Sequence, residues 1–330
     1  MAVIETRLAP GTMNPMHRLM GILLAATLLL PLLALASQGD ALAWPDLSDP
    51  LTQALRLPRI ATALLVGAAL AASGAALQAL FRNPLADPGL IGTSGGAALA
   101  VVAVLALGWH ALPLPLAAFA GGLAATWLIL ALTRLVRGGL AGLLLMGLVV
   151  GAFCGALISL MLFLSDDLTL RAASAWLAGN LAAATPERLG ACALVALTGI
   201  ALLLWIARDL DCLLLGEDAA RSLGVDVVRT RYLAAIGAAL ATGGAVALSG
   251  VIGFVGMMVP NLVAVLVGGC RRRMILLSAW GGALFLLAAD TLARTVVWPI
   301  DIPVGLIAAF AGPPFFVWLF ARQQRSLVNG

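Results

Sequence analysis

The 330-residue sequence has no lysine, only two histidines and only 10% charged side chains, where an ordinary soluble domain is about 25% charged. Each shortage excludes something. A phosphate-binding loop of the G-x-x-x-x-G-K-[ST] type needs a lysine on the phosphates, and Schiff-base catalysis needs a lysine amine. With only His17 and His110, H-E-x-x-H zinc sites and histidine-rich metal clusters are excluded too, and no metal site is expected. The four cysteines, Cys154, Cys192, Cys212 and Cys270, form no C-x-x-C pair and read as small apolar or boundary residues. All 19 basic residues are arginine, set singly or in short clusters between apolar stretches. Despite a pI near 9.4, this spacing fits membrane topology rather than nucleic-acid binding.

What is present is apolar: 62% of the residues are hydrophobic. A helix needs about 20 such residues to cross about 30 Å of hydrocarbon. The apolar stretches fall near 18–36, 60–80, 92–108, 112–133, 140–164, 188–207, 231–250, 251–269, 274–293 and 302–320. The first is longer than the 7–15-residue core of a signal peptide and reads as an uncleaved span. Ala234 to Gly269 is a 36-residue run flanked by Arg229 and Arg231 on one side and Arg271, Arg272 and Arg273 on the other. The positive-inside bias puts both clusters in the cytoplasm, so the run must cross twice, turning near Ser249 to Gly256, where Gly250, Gly253 and Gly256 permit bends. Ten spans with both termini cytoplasmic place fourteen of the nineteen arginines inside: Arg7, Arg18, Arg82, Arg134, Arg137, Arg208, Arg221, Arg229, Arg231, Arg271, Arg272, Arg273, Arg322 and Arg325. The other five, Arg56, Arg59, Arg171, Arg188 and Arg294, lie outside, interspersed with Asp40, Asp46, Asp49, Asp166, Asp167, Glu187 and Asp301. The longest polar segment, about Arg208 to Arg231, is too short for a core of its own. Residues 1–330 therefore read as one all-α integral membrane domain.

Ionisable groups within a membrane are costly and mark ion or proton pathways. The predicted spans hold one acidic residue, Asp290, four residues before Arg294 on the same helix face, which suggests an ion pair at the membrane boundary. A Ser–His or Ser–Lys hydrolase is disfavoured, and so is a secondary transporter working alone, which would need coupling-ion ligands near the midplane. The spans carry small residues instead. Gly147, Gly151 and Gly155 form a stripe in the fifth, and Gly67, Ala71 and Ala75 in the second. Such stripes serve close helix packing or, on another face, a smooth wall beside a passage.

Four segments break the apolar runs in a specific order. Arg56-Leu57-Pro58-Arg59 leads into Val66-Gly67-Ala68-Ala69-Leu70, Ser73-Gly74 and Gln78. Arg82-Asn83-Pro84-Leu85-Ala86-Asp87-Pro88-Gly89-Leu90-Ile91-Gly92 follows, ahead of Gly95-Gly96. The third runs from Leu215 to Val225. The fourth is Gly250-Val251-Ile252-Gly253-Phe254-Val255-Gly256 with Pro260, then Ala289-Asp290-Thr291-Leu292-Ala293-Arg294 and Pro303-Val304-Gly305. From about residue 50 to 322 this order resembles the FecCD-type permeases, the membrane subunits of ABC importers for ferric siderophores, haem and cobalamin.

The resemblance implies a ten-helix type II importer permease fold and a homodimer with its passage on the two-fold axis. Two ATP-binding subunits would sit below, a periplasmic substrate-binding protein above, and the whole in the bacterial inner membrane. No cofactor is expected on this chain; ATP and magnesium would bind the partner ATPase. By the same resemblance, Arg56, Arg59 and Arg294 would meet glutamates of the binding protein. Coupling helices at about 209–228, with Gly216, Glu217, Ala220, Arg221, Leu223 and Gly224, would seat in the ATPase, Leu215 and Leu223 serving as anchors. The fifth and tenth spans would line the passage with Gly147, Gly151, Gly155 and Ser159 and with Leu306, Ala309, Phe310 and Pro313. Two departures stand out. Where many relatives read Pro-His-x-x-Arg, this chain has Pro260-Asn261-Leu262-Val263-Ala264, and Asp301 replaces the usual Glu before Pro-x-Gly. The cargo is expected to be an iron complex, haem ahead of ferric siderophores and cobalamin third, because a passage without His, Lys or charged rings suits a large, partly apolar ring compound; a corrinoid also fits.

Overall fold

The computed structural model describes residues 15–38, 41–42, 48–109, 111–136 and 139–328. Arg7, His110, Arg137, Asp40 and Asp46 lie outside the described residues, and for Arg322 and Arg325 only the backbone is described. The described chain is helical: α1 Pro15–Ala36, α2 Leu57–Phe81, α3 Thr93–Ala106, α4 Leu114–Val136, α5 Gly139–Phe163, α6 Asp167–Leu177, α7 Pro186–Trp205, α8 Ala207–Leu214, α9 Glu217–Ser222, α10 Val227–Ser249, α11 Val255–Leu266, α12 Arg271–Thr295 and α13 Val304–Val328. One two-residue antiparallel pairing, Ser37–Gln38 with Ala41–Leu42, follows α1.

Among the described residues, seven helices are long and apolar enough to cross a membrane: Met16–Ala36, Thr52–Phe81, Leu114–Val136, Gly139–Phe163, Pro186–Trp205, Val227–Ser249 and Arg271–Thr295. Three more, Thr93–Ala106, Val255–Leu266 and Val304–Leu319, are apolar but shorter. Each of the ten apolar stretches of the sequence falls on one of these helices. At 1.5 Å per residue, α3 and α11 span only about 20 Å, and irregular backbone continues each of them. Pro88–Ile91 forms a short 3-10 turn before α3, and residues 250–254 run non-helically into α11.

Such backbone persists in a membrane only where its polar groups find partners. Asn261 Nδ2 donates to the Pro84 carbonyl at 2.7 Å and to Met257 at 2.8 Å, while Gln78 Nε2 donates to Met257 at 3.0 Å. Thr126 Oγ1 lies 3.1 Å from the Ile91 carbonyl, and Asn180 N donates to Ser249 O at 2.7 Å. The turn expected between Ser249 and Gly256 is present, but glycine makes only part of it. Gly250 adopts φ +69°, whereas the second left-handed position belongs to Phe254 at φ +68°. Gly253 and Gly256 are not bent this way; a Cβ on Gly256 would overlap the Pro88 ring and the Leu70 carbonyl of α2.

The second span starts earlier than residue 60. Its helix begins near Thr52 with a wide π-turn over Thr52–Arg56, closed by the Leu57 N–H on the Thr52 carbonyl. Pro58, next in line, has no N–H to donate, which accounts for the loosened turn. Arg56 and Arg59 therefore sit on a helix rather than in the loop before it. The helix stops at Arg82, which takes the left-handed conformation at φ +49° two residues before Pro84. Helix α6, amphipathic and eleven residues long, lies in a stretch the sequence reading left without an element. Its start is capped by Asp166, which accepts from Thr169 N at 2.9 Å.

Helices α2 and α10 bury 78% of their apolar windows, against 17% for α7 and 22% for α5. They are the inner pair, with α11 and α12 against α2. Glycine permits this closeness: a Cβ on Gly67 would overlap the Gly282 backbone of α12, and one on Gly74 would overlap the Gly256 backbone of α11. Ala71 and Ala75 continue the stripe, fully buried, so the second-span stripe is a packing surface. Gly74→Leu is expected to destabilise the purified protein by more than the usual overpacking cost of about 1–3 kcal/mol, seen as a lower thermal unfolding midpoint, because the obstructing atoms are backbone. Gly190→Ala, with open space around its Cβ position and about 1 kcal/mol better helix propensity, is expected to hold or raise the midpoint. Equal midpoints for the two variants would count against backbone-to-backbone packing.

Candidate functional site

Three groups of the residues singled out in the sequence are arranged on the bundle: one at each end and one along open helix faces. At the first end, the start of α2, the end of α12 and the loop before α13 meet around Asp290. Its carboxylate is fully buried and receives Arg59 through Nε at 3.1 Å and Nη2 at 3.0 Å. The remaining arm of Arg59, Nη1, reaches Asp301 at 3.0 Å. Arg294 Nε approaches the other Asp290 oxygen at 3.4 Å. The expected Asp290–Arg294 pair is thus real but secondary, because the principal cation on Asp290 comes from α2, 231 residues away in sequence. The pair is buried within the protein: Asp290 is 1% and Arg294 14% accessible at the side chain.

The other arginine arms finish α1. A helix leaves its last four carbonyls without intrahelical partners and carries partial negative charge at that end. Arg294 Nη2 donates to Ala34 O and Arg56 Nη1 to Leu35 O, both at 3.2 Å. Arg56, Arg59 and Arg294 therefore lie at one end of the bundle, and each is tied within its own chain. Sequence reasoning missed Asp290 as the centre of this cluster. The signal was present as a lone acid in an otherwise acid-free set of spans.

At the opposite end, α8 and α9 form a bent pair within the expected 209–228 segment. Gly216 (φ +111°) makes the break between them and Gly224 (φ +83°) the break after α9. Leu210, Leu213 and Ala220 are buried, while Leu215 and Leu223 are exposed at 61% and 62%. Arg221 pairs with Glu217 at 3.4 Å, the anticipated i, i+4 contact, and with Asp218 at 3.2 Å. Glu217 also pairs with Arg231 of α10. Asp211 accepts the Arg271 N–H at 2.8 Å and so caps α12. The α8–α9 pair is thereby fixed to α10 and α12 while presenting two leucines outward. In the nearby 82–91 segment, desolvation pushes the Asp87 carboxyl up, opposed by a hydrogen bond from Gly89 N.

Along α5 the glycine stripe divides. Gly147 is buried, and a Cβ there would overlap the Leu90 carbonyl; it packs rather than lining open space, which corrects its expected place. Gly151 and Gly155 have nothing near their Cβ positions, and Ser159 is exposed beyond them, its hydroxyl turned back to Gly155 O. On α13, Leu306, Phe310 and Pro313 form an exposed row, Phe310 at 77%, with Ala309 half-buried beside it.

Replacing Asp290 strands the buried Arg59 guanidinium with half its partners. Asp290→Asn is expected to destabilise the purified protein by about 3–5 kcal/mol, the usual cost of breaking a buried pair. Asp290→Asn combined with Arg59→Gln is expected to cost clearly less than the sum of the two single changes. Additive thermal-unfolding shifts would show that the pair is not coupled.

Residues 19–322 match the FecCD transport family. The hemin transport system permease HmuU of Yersinia pestis is 44% identical over 276 residues, which covers 82% of this chain and 83% of that protein. The vitamin B12 import permease BtuC of Vibrio cholerae is 38% identical over 317 residues, or 94% of each. A metal-chelate type ABC transporter solved in an inward-facing conformation superposes with a TM-score of 0.81 at 31% identity, covering 92% of this chain and 99% of that one. The buried ion cluster, the fixed α8–α9 pair and the helical bundle thus occur in a chain that belongs to the FecCD transport family, a multi-span membrane permease that is a transport component and leaves ATP hydrolysis to a separate subunit.

Proposed function

We propose that this chain imports an iron complex, haem first, as the permease subunit of a binding-protein-dependent ABC importer in the bacterial inner membrane. In this reading all ten apolar helices cross the membrane, both termini are cytoplasmic, and two copies enclose the passage between their α5 and α13 faces. The 44% identity to a hemin permease carries the choice of haem. The exposed row of Leu306, Phe310 and Pro313 agrees with it, being apolar and free of titratable groups. Cobalamin is the second reading, favoured by the B12 permease that matches over 94% of the chain.

The chain does no chemistry on its cargo. ATP and magnesium belong to the ATPase pair, which would grip α8 and α9 through Leu215 and Leu223 along the surface around Gly216, Glu217, Ala220, Arg221 and Gly224. Closure of that pair shifts α8–α9, and the Glu217–Arg231 and Asp211–Arg271 contacts pass the shift to α10 and α12, switching which side of the passage is open. At the other end, Arg56, Arg59 and Arg294 receive carboxylates of the binding protein. A guanidinium fork at such a rim supplies register and steering more than raw affinity. Arg59 is largely spent on Asp290 and Asp301, so the half-exposed Arg56, which leans only on a carbonyl in the geometry above, is the better probe.

Arg56→Glu in the reconstituted complex of permease, ATPase and binding protein is expected to abolish stimulation of ATP hydrolysis by the binding protein while the dimer stays intact. Retained stimulation would refute the docking role, and cargo uptake by this chain without an ATPase would refute the importer reading. The cognate binding protein is expected to show a haem absorption spectrum when mixed with haem and no comparable shift with a ferric siderophore or cobalamin. A cobalamin complex in place of haem would replace the first reading by the second.

A further inference from the structure

The groove between α4 and α10, at the end of the bundle that bears α8 and α9, plays no part in docking, coupling or passage. It encloses about 610 Å³, with Trp127 and Leu130 on one wall and Leu233 and Ile236 on the other. Trp127 is 71% and neighbouring Leu135 80% exposed, so the groove opens outward from the bundle. Two guanidiniums stand in it, Arg134 and Arg229.

Arg134 lies 4.5 Å over the Tyr232 ring and donates through Nε to the Tyr232 hydroxyl at 2.8 Å, which leaves the tyrosine proton to donate. Arg229 sits 5.8 Å from the Trp205 ring. Among the described residues neither is ion-paired to a carboxylate, whereas Arg59, Arg221, Arg231 and Arg294 all are. The nearby acids, Asp209 and Asp226, line an adjoining cavity that shares Arg229 and Leu233 with this groove and also carries Arg208, and Asp226 is engaged in capping Arg229 N at 3.0 Å. The groove itself therefore holds two cations and no anion. A groove near the opposite end, beside Phe119, carries Glu187 with Arg188 and has no such excess.

We infer that this groove binds an anionic phospholipid, its phosphate held between Arg134, Arg229 and the Tyr232 hydroxyl and its acyl chain lying along Trp127 and Ile236. Apolar walls open to the bilayer, closed off by basic and aromatic side chains at one membrane surface, match such a molecule at both of its ends. A second copy of the chain fits poorly. A two-fold contact through this face would set the same two guanidiniums against each other.

The test is native mass spectrometry of the full-length protein titrated with phosphatidylglycerol, phosphatidylcholine or inorganic phosphate. Phosphatidylglycerol is expected to bind in preference to phosphatidylcholine, weakening about fivefold for each arginine removed and about 25-fold in the double variant Arg134→Ala with Arg229→Ala, since each basic residue near the surface contributes about 1 kcal/mol. Arg171→Ala, an exposed arginine of α6, is expected to change nothing. Arg134→Lys with Arg229→Lys, which retains both charges and guards against a folding defect of the alanine variant, is expected to keep the preference. Equal binding of the two lipids, undiminished phosphatidylglycerol binding in the alanine variant, or loss of the preference in a folded lysine variant would each overturn the assignment. Inorganic phosphate is expected to leave no adduct and not to compete; competition by it at the lipid's own concentration would overturn the lipid in favour of a free anion.

Discussion

Helix α2 touches α12 through Gly67 and Gly282 and α11 through Gly74 and Gly256, at separations that leave no room for a methyl group. In a bilayer this closeness matters more than it would in water, because surrounding lipid is as apolar as any leucine and burial against a neighbour gains little by itself. Helices are held by contact density and by polar groups that must be satisfied, and both are concentrated on α2. With α2 fixed, Gln78 near its far end can reach the Met257 carbonyl and Arg59 near its start can reach Asp290. A thicker residue at either glycine would separate these polar partners as well as the helices.

The ion cluster and the α8–α9 pair stand at opposite ends of α12. The first turn of α12 is capped by Asp211 of α8, and its last turns carry Asp290 and Arg294. A displacement at α8 is therefore delivered to a helix about 37 Å long whose other end is cross-linked to α2, to the loop before α13 and to the last carbonyls of α1. Interfaces of this kind have discrete arrangements rather than continuous compliance. That gives α12 a physical basis for linking the two ends, and the Glu217–Arg231 pair ties α9 to the start of α10 as well.

Much of the fold was legible because it is local. Ten apolar stretches of about 15–25 residues are a one-dimensional signal, and each lies on a helix. The break near Gly250 was readable from the charges around it. What was illegible is the pairing between distant residues. Asp290 and Arg294 are four apart, so the sequence suggests their contact, whereas Asp290 and Arg59 are joined only by the packing of α2 on α12. Helix α6 escaped for a different reason, being too short and too polar to register as a span. The Gly147–Gly151–Gly155 stripe was seen, but successive positions four apart drift about 40° around a helix, enough to bury the first against Leu90 while leaving the others open.

The absence of lysine, which at first only subtracts possibilities, has a structural counterpart in these contacts. Arg59 gives Nε and Nη2 to one carboxylate and Nη1 to another, a geometry that a single ammonium cannot reproduce with parallel donors on a planar frame. Arg56 and Arg294 each turn an arm to a helix-end carbonyl, and Arg134 stacks on a tyrosine ring while bonding its hydroxyl. Lysine could supply the charge at each of these places, but not the fork, the stack or the weak hydration that make a guanidinium cheaper to hold at an apolar boundary. At Arg59, Arg221 and Arg294 more than one nitrogen of the guanidinium is engaged at once, and arginine is the residue that offers them.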